Sequence, residues 1–271
     1  MVHARPDAIA DRTSLPNGWE NPELDGRGNG PYGLMHLLRL GVMERFKRAV
    51  ADPRAAQEEA LQRVLGAVDA LHAVGVAEEV DNELVDSMVE EAARVARDLL
   101  GPANILGDKQ GCHLNEDGTV SAPAAYHEVF NTFVEGGWPA VAAPVEYGGM
   151  GMPTFVAAAI GELMTGASPA FVMYPGLTRA AANLLAEYGP DAWRRTTCER
   201  MYSCEWGGTM CLTEPGAGSS VGDARTKATP SETPGVYLIE GEKIFISSGD
   251  HDLTENIIHL VLARVPGAPS G

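Results

Sequence analysis

The sequence predicts an α+β fold, with a helical N-terminal domain followed by the first part of a β-barrel or β-sandwich domain. Two observations predict it. Up to about residue 204 the apolar residues recur at intervals of three and four, the period of a helix buried along one face. From about residue 205 the runs MCLTE, ARTKAT, VYLIEGEKIFIS and NIIHLVLARV are rich in β-branched and aromatic residues, with Gly, Pro and Asp turns between them. That is the pattern of strands. About four strands are few for a β domain that closes on its own.

Residues 1–32 (LPNGWENPELDGRGNGPYG within them) are rich in Pro, Gly, Asn and Asp and read as an irregular lead-in. A helix follows over GLMHLLRLGVMERFKRAV, and a second carries Leu61, Val64, Leu65, Val68 and Leu71. Asp81 is placed to cap a third, whose stripe is Val85, Met88, Val89, Ala92, Val95 and Leu99, with Gly101-Pro102 as its stop. GDKQGCHLNEDGTVSAP (107–123) has the residues of a surface loop. AYHEVFNTFVEGG is a short amphipathic helix ending at Gly136-Gly137, PVEYGGMGMP a tight glycine-rich loop, and TFVAAAIGELMTGA and TRAAANLLAEYG further helices. The domain boundaries expected on this basis are 33–204 for the helices and 205–271 for the partial β domain.

Composition narrows the functional classes. The 271 residues are 45% hydrophobic and carry a formal net charge of −17, so a sizeable core can form. Nucleic-acid binding and attachment to anionic membranes need a basic face this chain lacks. No run approaches the ~20 apolar residues of a membrane span, and the N-terminal residues lack a secretory leader's apolar core. The four cysteines form no CxxC pair and no regular framework. They read as reduced thiols of a cytoplasmic protein.

GxSxG, the Walker GxxxxGK[ST], GxGxxG and HExxH are all absent. The informative segment is MCLTEPGAGSS (210–220), followed by GEKIFISS (241–248). Glycines in such a turn let backbone N–H groups approach a bulky anionic ligand, and serine hydroxyls can donate to phosphate oxygens. Taken alone, the segment is equally an ordinary strand and turn. Phe245 and Ser247 alone read as strand alternation, with Phe245 buried.

MCLTEPGAGSS followed some 30 residues later by IEGEKIFISSG resembles the signature of the acyl-CoA dehydrogenases, FAD enzymes that desaturate acyl thioesters between the α and β carbons. The resemblance extends through FVEGGWPAVAAPVEYGGMGMP, MYPGLT and GDHDLTENIIHLVLAR. These stretches are most similar to the long bacterial subclass that includes 3-methylmercaptopropionyl-CoA dehydrogenase-like proteins. It covers about residues 82–271 and is poor over 33–80, whose role it leaves open.

The resemblance implies a helical domain, a middle β domain and a C-terminal four-helix domain that lies outside this sequence. It implies that Met210, Leu212 and Thr213 face the flavin ring, where N–H and O–H donors stabilise the charge of the reduced form. Gly218 and Ser219 would approach the pyrophosphate, with Ser219 also contacting coenzyme A. Phe245 stands where many relatives have Trp against the ring, and Ser247 where a Thr often donates towards N5. Met173 and Tyr174 are expected near the acyl or flavin region, as substrate contacts, although helix packing accounts for them equally. Ser220 replaces a usual Asp.

In GDHDLTEN, Asp252 and Glu255 are expected to fix a loop as hydrogen-bond acceptors, with His251 structural. The family's base is a buried glutamate of the C-terminal domain, expected beyond residue 271, so no catalytic residue is assigned and Glu214 is read as structural. These implications make the chain the N-terminal fragment of a longer, oligomeric dehydrogenase that passes electrons to an electron-transfer flavoprotein. The alternatives are an acyl-CoA oxidase or flavin monooxygenase of the same fold, and a non-catalytic partner subunit.

Overall fold

A computed structural model describes residues 77–267 and some residues between 66 and 75, all within one compact unit, Leu61–Gly271. The expected lead-in over 1–32 and the helix over 33–50 lie outside the described residues, as does most of the helix expected from Leu61.

Helix α1 (Asn82–Val95) starts where the Asp81 carboxylate accepts from the Leu84 N–H at 2.7 Å, satisfying a donor that the first turn cannot pair. Val85, Val89, Ala92 and Val95 are its buried stripe. Gly101-Pro102 does not stop the helical path, contrary to expectation. Ala96–Leu100 widen into one π-helical turn and α2 (Gly101–Gln110) continues from it, with Pro102 in its first turn. Proline is tolerated there because a first-turn N–H has no intrahelical partner to lose. Gly111, at φ +67°, ends the path.

The expected surface loop at 107–123 holds a hairpin, β1 (His113–Leu114) against β2 (Val120–Ser121). Helix α3 (Ala124–Glu135) buries Tyr126, Val129, Phe130 and Phe133. Phe171, fully buried, takes the edges of Tyr126 and Phe133 with ring centroids 5.4 Å away in each case. Gly107 makes room for this cluster, because a Cβ there would come within 2.4 Å of the Tyr126 ring. Helices α4 (Thr154–Ala167), α5 (Pro169–Tyr188) and α6 (Asp191–Tyr202) complete the helical layer.

Strand β3 (Trp206–Cys211) lies on α5 and pairs in parallel with β6 (Asn256–Val261), Met210 opposite Leu260. Gly208 is required by this approach, since a Cβ would fall 2.5 Å from Met201 Cε and 3.0 Å from Ala181 Cβ. Its N–H donates to Thr178 Oγ1 of α5 at 3.0 Å. β4 (Lys227–Pro230) pairs antiparallel with β5 (Tyr237–Glu240). The described strands thus form three two-stranded sheets and no closed barrel. The strand expected through IFIS is not formed. Residues 242–246 run as irregular chain, with Phe245 in the left-handed region at φ +59°.

Candidate functional site

Strand β3 delivers Leu212 and Thr213 to a lip just beyond its last residue. Glu214 fixes that lip. Its carboxylate is buried and accepts from Arg225 N–H at 2.6 Å, Thr226 N–H at 2.9 Å and Lys243 Nζ at 2.8 Å. The Lys243 ammonium beside it, then the Thr226 and Arg225 donors, hold its carboxyl well below the usual carboxylate range. Lys243 also donates to the Leu212 carbonyl at 3.0 Å, and Ile244 N–H donates to the Thr213 carbonyl at 3.0 Å. Segments 212–214, 225–226 and 243–244 are therefore stitched together around one ion pair, whose side chains are 10% and 7% exposed.

This stitching sets Lys243 and Ile244, the two residues before Phe245, beside Leu212 and Thr213. Phe245 is 87% exposed, so the buried strand position that alternation suggests is corrected. Past Glu214 the chain turns through a Glu214–Ala217 bridge, with Ala217 buried. Gly218 and Ser219 are exposed, and a Cβ on Gly216 or Gly218 would meet nothing within 4 Å. The hydroxyls of Thr213, Ser219 and Ser247 make no hydrogen bond with the described residues. Met210 is half-buried against the cluster that includes Met201 and Tyr202. Beside the turn runs a groove of about 1,110 Å³ whose walls include Gly216, Arg225, Lys227, Thr229, Glu240 and Arg264.

The glycine loop after Pro144 carries no such set of free donors. Gly149, Met150, Gly151 and Met152 give their N–H groups to the carbonyls of Pro144, Ala140, Ala143 and Val141. With its N–H groups committed to its own carbonyls, it is a tight turn between helices, as expected.

Met173 is exposed on α5 and Tyr174 is half-buried. The Tyr174 ring meets His251 edge-on at 4.9 Å and its hydroxyl lies 3.6 Å from Cys112 Sγ. Neither lines the cavity of about 420 Å³ between α4 and α5, which Pro175 and Gly176 of the same MYPGLT segment do line.

His251 is buried, which pulls its pKa down, and its Nδ1 accepts from Leu253 N–H. Asp252 fixes its loop through Oδ1, which accepts from Ala122 N–H at 2.8 Å with His127 Nε2 3.3 Å away. Glu255 does so only through its backbone, N–H to the Glu205 carbonyl. Asp250, which sequence reasoning passed over, accepts from Val120 N–H at 2.9 Å. Lys243 was also passed over. Its position two residues before Phe245 was visible, but its partner Glu214 lies 29 residues away. All four cysteines are free. Among the described residues no cluster is suited to a metal, and no helix is long and apolar enough to cross a membrane.

Comparison with known proteins matches residues 114–205 to the acyl-CoA dehydrogenase N-terminal domain. The 3-methylmercaptopropionyl-CoA dehydrogenase of Ruegeria pomeroyi is 40% identical over 193 residues, covering 71% of this chain and 32% of that protein. A butyryl-CoA dehydrogenase of Syntrophomonas wolfei is 42% identical over 189 residues, 69% of this chain and 31% of that one. The chain thus spans about a third of the length of these curated relatives. The structure of an acyl-CoA dehydrogenase complexed with FAD from Bacillus anthracis shares the fold at a TM-score of 0.55 and 22% identity, over 70% of this chain and 31% of that one. With about 40% identity to named acyl-CoA dehydrogenases over more than two thirds of its length, the chain belongs to the acyl-CoA dehydrogenase family.

Proposed function

We propose that this chain supplies the flavin-facing part of an FAD-dependent acyl-CoA dehydrogenase that desaturates an acyl-CoA thioester. One observation carries the proposal. The Glu214–Lys243 pair holds two distant segments side by side, and the polar groups they present, Thr213 and Ser247, have no partner among the described residues. Phe245 adds an aromatic ring held out in solvent by a left-handed backbone. The left-handed backbone at Phe245 costs stability in isolation, and the ring with the two hydroxyls suits a planar heteroaromatic ring with a polar edge.

FAD, when bound, supplies the hydride acceptor. The chain's own part is to bind and orient. Thr213 and Ser247 donate hydrogen bonds, Phe245 covers ring surface, and the open Gly218-Ser219 turn lets backbone N–H groups approach phosphate. Met210 and Leu212 shape the strand beneath. Glu214 does not act as the base, since three donors occupy its carboxylate and depress its proton affinity. Acyl-CoA is the substrate class, Ser219 its contact on the coenzyme A side, and an electron-transfer flavoprotein the acceptor.

The test is anaerobic visible spectroscopy of the purified chain incubated with FAD, freed of unbound flavin by gel filtration, then mixed with acyl-CoAs. A retained flavin band that shifts or bleaches with acyl-CoA is expected. Absence of retained flavin overturns the proposal.

A further inference from the structure

We propose that the cavity between α4 and α5 receives the far end of the acyl group, and that Arg179 there selects a chain ending in a carboxylate. This rests on the acyl-CoA function above and names the class of acyl group. The cavity's volume, about 420 Å³, falls within the ~300–1,000 Å³ of small-molecule sites. Phe133, Trp138, Val141, Ile160 and Met164 make most of its wall apolar. On α5, Val172, Pro175, Gly176 and Arg179 share one face at helical spacing and close it.

Two glycines open the space. A Cβ on Gly161 of α4 or Gly176 of α5 would meet nothing within 4 Å, and neither residue has a left-handed φ. The room exists because side chains are missing, with no backbone demand for glycine.

Arg179 is the one basic side chain on this wall. It is half-buried, and it makes no hydrogen bond or ion pair with any described residue. Glu162, also on the wall, is exposed and forms no ion pair with it. A guanidinium keeps its charge at any working pH and offers a planar fork of donors. Beside walls that are mostly apolar, a carboxylate accepting two of its N–H groups would give it a bidentate, charge-assisted partner. Methylenes along Phe133, Ile160 and Met164 with a terminal carboxylate on Arg179 satisfy both parts of the cavity, whereas a terminal methyl leaves the cation unpaired. Strand β3, which leads to the lip, packs on the same helix, where Gly208 N–H donates to Thr178 Oγ1, the neighbour in sequence of the wall residue Arg179, so both ends of one ligand would be aligned by α5.

Calorimetric titration of the full chain, with FAD present, uses adipyl-CoA, hexanoyl-CoA and coenzyme A as probes. Adipyl-CoA is expected to bind about tenfold more tightly than hexanoyl-CoA, the size of one charge-assisted hydrogen-bonded contact. Arg179→Met removes that preference by weakening adipyl-CoA and not hexanoyl-CoA, Arg179→Lys retains part of it, and Gly176→Leu weakens both thioesters relative to coenzyme A. Equal affinity of the two thioesters for the unaltered chain, or a preference that survives Arg179→Met, overturns the role of Arg179 and leaves the acyl-CoA function standing. If neither thioester binds better than coenzyme A, the acyl-CoA function itself fails and this inference with it.

Discussion

At the residue scale, Glu214 and Lys243 have a structural task with a functional consequence. Removing the ammonium by Lys243→Met leaves a buried carboxylate with only two backbone donors, and removing one partner of such a pair is far more disruptive than lacking the pair altogether. Lys243→Met should lower the melting temperature by several degrees in thermal denaturation and weaken FAD binding, with Lys243→Arg restoring part of both. The pair also fixes a pH dependence. The folded-state pKa of Glu214 lies below its unfolded value of about 4.3. Its contribution is therefore fully present above that value and lost as pH falls through and below it. Urea denaturation between about pH 6 and 3 should show the unaltered chain losing stability more steeply than Glu214→Gln, and parallel profiles would contradict the assignment. Thr213, Gly218 and Ser219 stand out in the sequence because they sit in one contiguous motif. Lys243 was not, because an ion pair closed by the fold leaves no local pattern. Phe245 was placed in a strand for its alternation, and its positive φ is set by its neighbours, which periodicity does not register.

At the element scale, the amphipathic helices were readable because each buries one stripe, and Asp81 because capping is local chemistry. Gly101-Pro102 misled, since the same dipeptide that ends one helix can open the next turn after a π-helical widening. The loop over 144–153 shows how tightly such a connection can be specified. Gly149 packs so closely that a Cβ would lie 2.1 Å from the Ala143 carbonyl oxygen. Backbone must move to admit it, so Gly149→Ala should cost about 1–3 kcal/mol in denaturant unfolding, and a neutral result would show that the loop yields freely. The β1–β2 hairpin is held differently, its outer N–H groups at Val120 and Ala122 taken by Asp250 and Asp252. Replacing both aspartates by Ala should speed amide exchange at Val120 and Ala122 about tenfold, the scale of one hydrogen bond to a charged acceptor. Exchange in α1 should be unaffected.

Over the whole molecule, burial is unevenly divided. The larger apolar cluster draws on α1 through α5, with Val85, Val156 and Phe171 fully buried. β5 by contrast exposes all four of its residues, Leu238 at 65% and Ile239 at 53%, and pairs along one edge only among the described residues. A strand with water on both faces has little apolar burial to oppose its opening, so stability should fall along the chain from the helical layer to the β4–β5 pair. β3 and β6 belong to the protected part, because β3 lies on α5 through Gly208 and its contact with Thr178. This division was legible in outline from the change of apolar period near residue 205. Which strands would be covered was not, because parallel pairing of β3 with β6 joins residues 50 apart. Hydrogen exchange measured across the chain should find amides of α4, α5 and β3 the slowest and those of β4 and β5 faster by orders of magnitude. Uniform protection through β5 would mean that its exposed face is covered in solution, and would require a surface the described residues do not contain.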